Sequence, residues 1–366
     1  MKTKDFIVVL ALIVLYISLL VIFKPSIFRY SFSQELIRRY FLSQDIPHEV
    51  PGKRLFLSDG DIYLSTGYLY AQGEDPAKFN FEHPPLIKYL FGFSIKFFNN
   101  PYFAQILLGV LMIIALYYAG IKIYRQSTVA SLACLLLLID PIFLSVSSEP
   151  LLDLGQALFL ILYILAVLYF KKNYMLQGAA LGLFAGTKFW ITPIFFIVAL
   201  TLYKLYKREF EIKIFFLHLI FAFITYSLLY TQTFILYNDR FNIVWHILRT
   251  FKYRLIHNTS QYFGASFVLF MTGFLKSWWG NKKWIWISPW TIIWPISLVL
   301  SITESFRLLL KKKIDINFFI GILPFLYLCY LGVQASFPRY FMPILPFLYL
   351  FIANLVLKKR HLLMKS

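Results

Sequence analysis

Charge is what this sequence has least of. Only 14% of its 366 residues are Asp, Glu, Lys or Arg, against about 25% in average soluble domains. With 60% of residues hydrophobic and a mean hydropathy of +0.69, the composition excludes an ordinary water-soluble enzyme and reads as a polytopic membrane protein. Acid is scarcer still, with 17 Asp and Glu against 36 Lys and Arg, a net charge of +19. That excess does not point to nucleic acid, because the basic residues sit in short runs at the ends of apolar segments, as topology signals do. Cysteine is nearly absent. Cys134 and Cys329 both lie inside apolar runs and read as packing residues, not a disulfide, so they say little about redox compartment. No heptad, short-period repeat or low-complexity segment is present. What is abundant is aromatic, 40 Phe and 25 Tyr, which suits a lipid-facing surface with interfacial rings.

Residues Phe6 to Phe23 carry no charge and are long enough to begin a span at about 1.5 Å per residue. A cleaved signal peptide is the rival reading. No small-residue cleavage site follows and Lys24-Pro25 comes next, so a retained helix is expected. Later spans are expected at Tyr102–Ile121, Thr128–Ser145, Leu151–Phe170, Tyr174–Thr187, Trp190–Tyr206, Ile214–Leu236, Ser288–Ser305, Phe318–Val333 and Tyr340–Leu357. The expected fold is thus an all-α polytopic bundle of about ten transmembrane helices. With the N terminus in the cytoplasm, every expected inner loop holds Lys or Arg and 12 of the 17 acids face outward. Both termini are then cytoplasmic, in a plasma membrane of bacterial or archaeal type. The large outer loops are expected at 24–101 and 238–287, with no appended soluble domain expected and residues 1–366 read as one domain. Amphipathic helices are expected in the first loop around Ser33–Ser43, with Arg38 and Arg39 at headgroup level. Tyr262–Trp279 reads as an interfacial or re-entrant helix in the second. Asn258-Thr259-Ser260 matches a glycosylation sequon, a short and common pattern.

The first outer loop holds the longest polar interruption, LSDGDIYLSTGYLYAQGEDPAKFNFEHPPLIKYLF from Leu57 to Phe91. Asp59-Gly60-Asp61 could cap a helix, where Asp is favoured for its bond to free backbone N–H groups. It could equally supply a general base or a ligand for a cation that neutralises phosphate. In Glu82-His83-Pro84-Pro85 the prolines fix the backbone and present a charged and a titratable side chain from a rigid corner.

These residues resemble the first extracytoplasmic loop of the protein O-mannosyltransferase and aminoarabinose-transferase superfamily, GT-C fold glycosyltransferases that use polyprenyl-phosphate sugars. The matching positions are Asp59, Tyr63, Gly73, Asp75, Pro76, Glu82, His83, Pro84, Pro85, Leu86 and Lys88. IDPIFLSVSSEPLLD, ending at Asp153, is similar to the family's second acidic motif. GAALGLFAGTKFW is similar to its Gly-rich span ending in Lys188, SPWTIIWPI to its Ser-Pro-Trp…Trp-Pro element, and FPRYFMPILP to its late Arg-Tyr element. Three departures stand out. Gly60 occupies the second position of an acidic dyad, Gln105 stands where an arginine is usual, and Ser148 or Glu149 fills the place of another.

The resemblance implies an inverting transfer of a mannose-like or other sugar from a polyprenyl-phosphate donor to an acceptor hydroxyl on a protein, lipid or glycan. Asp59, with Asp61 as substitute, would take the hydroxyl proton. The leaving phosphate needs cations, and the candidates are Lys188, Arg339, His83 and Lys88. Lys188 and Arg339 lie at expected outer span ends beside Trp190 and Tyr340, where snorkelling is the rival reading. Gly182 and Gly186 allow close helix approach just before Lys188. Asp153 begins a span, where a helix N-terminus favours its charge anyway. It could position His83, a cation or the acceptor. A divalent cation could be held by Glu82, His83 and Asp153, although Glu82 and His83 are adjacent and tend to point apart. His246 and His257 could contribute to such a cation site, with interfacial packing as the preferred reading, and Trp278, Trp279, Trp284, Trp286, Trp290 and Trp294 read as an aromatic belt or a sugar-stacking surface. A lipid-linked sugar transporter would place ionisable residues at mid-membrane, where this sequence has almost none. A catalytically silent lipid-binding homologue is the third reading. The transferase reading requires Asp59, His83, Asp153, Lys188 and Arg339 to meet in one hollow, with a lipid-sized groove leading to it.

Overall fold

The computed structural model describes residues 3–46, 54–189, 191–237, 240–256, 262–277, 283–333 and 337–363. It is a helical bundle. The uncharged first run forms α1 (Thr3–Phe23), stopped by Lys24-Pro25 because proline's ring and missing N–H cannot continue a helix. The first loop then folds into three helices, α2 (Glu35–Phe41), α3 (Asp59–Ala71) and α4 (Leu86–Phe98). Next come α5 (Tyr102–Tyr124), α6 (Ser127–Leu138), α7 (Pro141–Ser147), α8 (Asp153–Tyr169), α9 (Tyr174–Ala185) and α10 (Ile191–Tyr206). The second half holds α11 (Ile212–Leu228), α12 (Thr231–Tyr237), α13 (Ile243–Ile256), α14 (Ala265–Thr272), α15 (Ile293–Leu310), α16 (Ile316–Leu331) and α17 (Leu345–Leu363).

Three expectations need correction. The span expected at Thr128–Ser145 is broken, with α6 and α7 meeting at 70°. Pro141 cannot donate backward, and the Asp140 side chain accepts from Ile142 N at 2.7 Å and Phe143 N at 3.3 Å, so a new helix starts there. The span expected at Ile214–Leu236 is likewise bent, by 62° between α11 and α12. The described part of Tyr262–Trp279 is not one helix. Gly264 and Gly273, at φ +83° and +76°, close α14 at both ends. A short antiparallel hairpin follows, β1 (Phe274–Lys276) and β2 (Trp284–Trp286), with Phe274 opposite Trp286. Among the described residues, three helices are long and apolar enough to cross a membrane, or five when each bent pair counts as one. The other five expected spans form shorter apolar helices of 10–17 residues over their described lengths.

The core lies around α5, α8 and α17, where α8 is buried from Asp153 to Val167 almost without interruption. Asp140 ties it together, accepting from Trp294 Nε1 of α15 at 2.7 Å and from the Tyr349 hydroxyl of α17. The outer surface is the reverse of a soluble protein's. Phe6, Ile7, Leu10, Val14 on α1 and Phe216, Ile220, Phe223, Ile224 on α11 are exposed. Contiguous apolar surface of this kind is stable only against lipid. The first loop docks as a unit. A Cβ on Gly92 of α4 would lie 1.9 Å from the Gly67 carbonyl oxygen of α3, so these two helices touch backbone to backbone.

Candidate active site

One end of the bundle gathers the polar motifs. Gln44 fixes the approach to α3 by donating to Leu57 O and accepting from Leu57 N, both at 2.9 Å. Ser58 then caps the helix, accepting from Asp61 N at 3.2 Å and donating to Asp61 Oδ2 at 2.9 Å. Asp61 is thereby spent on the cap. Asp59, two residues earlier, is left to face outward, its side chain 47% exposed and paired with the Arg339 guanidinium.

Arg339 stands in the tight turn Pro338–Phe341 that precedes α17. Its Nε lies 3.7 Å from Asp153 Oδ2, and the other Asp153 oxygen accepts from Lys188 Nζ at 2.5 Å. Asp59, Arg339, Asp153 and Lys188 thus form one alternating row. Both Asp153 Oδ2 and Arg339 Nε are buried without a hydrogen bond among the described residues, which leaves polar capacity for a further group. Burial opposes the charge on Arg339, but Asp153, followed by Tyr340 and Asp59, outweighs it and raises its pKa. Burial pulls the Lys188 ammonium down to about 8, with Asp153 resisting and Arg339 adding to the fall. The rings of Tyr340 and Phe189 sit 4.2 and 5.2 Å from Lys188 Nζ.

His83 borders this row through the same aromatic wall, 5.0 Å from the Phe189 ring and in edge contact with Tyr63. Its Nε2 lies 3.2 Å from the Tyr63 hydroxyl and 2.9 Å from Arg254 Nη2. Burial, then the Arg254 charge, hold its pKa well below the ordinary value. His83 is therefore a neutral acceptor and not one of the cations expected to face a phosphate. Arg254, from α13, stacks 4.0 Å above Phe189 and was not singled out from the sequence. The signal was available in WHILRTFKYR, a basic amphipathic stretch in the second expected outer loop.

Glu82 and Lys88 turn away from the row. Asn80, in a left-handed conformation at φ 44°, donates to Glu82 Oε1 at 2.9 Å and Asp45 Oδ1 at 3.0 Å. Burial and the Asp45 charge raise the Glu82 pKa. Lys88 is fully buried and donates to Asn80 O at 2.9 Å, Asn80 Oδ1 at 3.3 Å and His83 O at 2.7 Å. Burial lowers its pKa to about 7, against the pull of Glu82 and Asp45. It holds the Glu82–Pro85 corner from below, and Leu86 N→Gly186 O at 3.0 Å fastens that corner beside Lys188. Asp75 accepts from Thr233 Oγ1 of α12 at 2.5 Å, docking the Gly73–Pro76 turn onto the bent helix pair.

The metal candidates share no focus, since Glu82 binds Asn80, His83 binds Arg254 and Asp153 binds Lys188. Among the described residues no three His, Cys, Asp or Glu side chains come together as a metal site. His246 packs against Tyr230 and Phe241, with ring centroids 4.8 and 5.7 Å apart. Trp294 serves Asp140, Trp290 Nε1 donates to Phe270 O at 3.0 Å, and Trp284 and Trp286 are exposed on the hairpin. Trp190, His257, Trp278, Trp279 and the sequon lie outside the described residues. The departures have a common neighbour. A Cβ on Gly60 would lie 3.0 Å from Pro150 Cγ, and Gln105 Nε2 donates to Val146 O and to Leu151 O at 3.3 Å. An apolar groove of about 180 Å³ runs between α9, α10, α11 and α13, bordered by Ala185, Pro193, Ala222 and Ile247.

No protein-family model matches the chain, and no curated protein matches it by sequence. Solved structures do. The crystal structure of ArnT from Cupriavidus metallidurans bound to undecaprenyl phosphate superposes with a TM-score of 0.60 at 16% identity over 87% of this chain. The apo structure of ArnT from the same organism gives 0.58 at 16% identity over 87%. The chain spans 58% and 57% of the length of those proteins. It has the ArnT-like membrane fold, and the GT-C resemblance read from the motifs agrees with it.

Proposed function

We propose that this chain is a membrane glycosyltransferase that moves a sugar from a polyprenyl-phosphate donor to an acceptor hydroxyl. The observation that carries this reading is the row Asp59–Arg339–Asp153–Lys188, an exposed carboxylate beside two anchored cations. Undecaprenyl phosphate bound to an ArnT of the same fold supports the donor class. The acceptor oxygen attacks the anomeric carbon and passes its proton to Asp59, which Arg339 holds in place. The anomeric C–O bond breaks on the opposite side, so configuration inverts. The leaving lipid phosphate keeps its charge and is met by Arg339 and Lys188. Asp153 orients both cations. Arg254 adds positive charge at the rim, held in place by neutral His83. The apolar groove that Ala185 and Pro193 border would take isoprene units of the lipid chain.

The finer assignments belong to the same proposal. The sugar is a hexose or pentose, mannose-like among the options. The acceptor is a protein, lipid or glycan hydroxyl. The site faces the extracytoplasmic side and both termini the cytoplasm, as the basic residues at the far ends of α8, α9 and α10 favour. Purified protein in liposomes with labelled polyprenyl-phosphate sugars tests the reading. Wild type should release polyprenyl phosphate, and Asp59→Asn should slow release by about 10²–10⁴-fold while still binding the lipid. Equal release by the two proteins would remove Asp59 as base.

A further inference from the structure

The opposite end of the same helices carries a second built site. The turns α8–α9 and α10–α11 close over a cavity of about 310 Å³, large enough for a small headgroup. Its mouth is basic, with Lys171, Lys172, Lys204 and Arg208 against Glu209 and Glu211. Lys171 is paired with Glu209 at 2.7 Å. The other three cations have no salt-bridge partner among the described residues. The floor is different, made by Tyr163, Val167, Leu200, Phe215 and His218. His218 is 4% exposed, its ring lies against Tyr163 at 5.6 Å, and its Nε2 is buried with no hydrogen-bond partner among the described residues. An orphaned polar atom at the base of a pocket ringed with unpaired cations is unusual in a folded protein. It is what an oxyanion with an apolar attachment would complete.

We infer that this pocket binds the phosphate headgroup of an anionic phospholipid. Basic hollows between membrane helices hold such headgroups, because each cation near the surface attracts the lipid charge and the stems of Lys and Arg line the acyl boundary. The surrounding surface agrees. Leu202, Leu205 and Tyr206 on α10 and Ile212 and Phe216 on α11 are exposed beside the mouth, so acyl chains attached to a bound headgroup have apolar surface to lie on. A free phosphate would use the cations and leave that surface uncovered. The pocket is about 18–25 Å from the row of Asp59 and Arg339, the length of α9 or α8, so the two sites are separable by mutation.

The test is native mass spectrometry of delipidated protein with phosphatidylglycerol, phosphatidylcholine or inorganic phosphate. The probe variant is Lys172→Gln with Arg208→Asn. Both residues are exposed, and Asn tolerates the left-handed backbone at position 208, φ 56°. The control is Lys311→Gln with Lys313→Gln, the same change of charge on an exposed turn elsewhere. Phosphatidylglycerol should bind wild type and the control alike and the probe variant at least about tenfold more weakly. His218→Leu should weaken it with no change of charge. Binding of phosphatidylcholine as tight as phosphatidylglycerol, equal binding of inorganic phosphate alone, or equal weakening by the control pair would each overturn the inference.

Discussion

Asp59 and Asp153 both begin helices, yet their surroundings assign them different work. The Asp59 side chain is half exposed and meets one guanidinium, which on the transferase proposal leaves it open to an incoming hydroxyl. Asp153 is 1% exposed and lies between two cations. Its replacement by Asn should cost about 3–5 kcal/mol of stability, because Lys188 is left buried and unpaired. Thermal unfolding in detergent reads this, and an unchanged midpoint would contradict the buried pair. Lys188 also sets a pH limb. It is a cation below about 8 and neutral above, so affinity for undecaprenyl phosphate should fall as pH rises through 8. Lys188→Arg should move that fall to higher pH. The candidate residues were legible one by one, through motif order, but their partners were not. Nothing in the spacing distinguishes Asp59 from Asp61; the Ser58 hydroxyl decides, by taking Asp61 for the cap. Nor does the chain order join Gly60 to Gln105, although both abut the 146–151 turn. Gly60→Ala sets about 1 kcal/mol of helix propensity against a contact that Pro150 must yield a few tenths of an ångström to admit, so its unfolding midpoint should stay close to that of wild type.

At the scale of elements, apolar run length located the helices, and local chemistry set where they break. Hydropathy is blind to a bend, since a broken span stays apolar. The break at Asp140-Pro141 was written in the dipeptide, a good cap followed by a residue favoured at the first helical position. The bend after Leu228 has no such marker. The strand pair Phe274–Lys276 and Trp284–Trp286 escaped because a Trp-rich apolar strand and an interfacial helix look alike over so few residues. Asp140 makes the broken helix useful by joining α7, α15 and α17. Trp294→Phe keeps most of the ring volume and removes one donor to this buried carboxylate, which should cost about 1–3 kcal/mol. A midpoint equal to wild type would show that Asp140 does not depend on Trp294. The α3–α4 contact is stricter. Gly92→Ala places a Cβ into the Gly67 carbonyl, and backbone cannot give way as a side chain can. Loss of a monodisperse species on size exclusion is expected.

For the molecule as a whole, the two ends of the bundle are chemically unlike. One end carries a row of opposed charges under aromatic cover, and the other carries unpaired cations around an apolar-floored pocket. An apolar girdle separates them. That polarity was readable from composition, because loop charge follows topology. The meeting of residues 59, 153, 188 and 339 was not, because it depends on how four separate helix ends converge. The most direct test is a cryo-EM structure of the protein with undecaprenyl phosphate. The lipid phosphate should lie within about 4 Å of Arg339 and Lys188 nitrogens, with its chain in the groove by Ala185 and Ile247. A phosphate found away from both cations, with the Asp59–Arg339 pair undisturbed, would contradict the transferase reading.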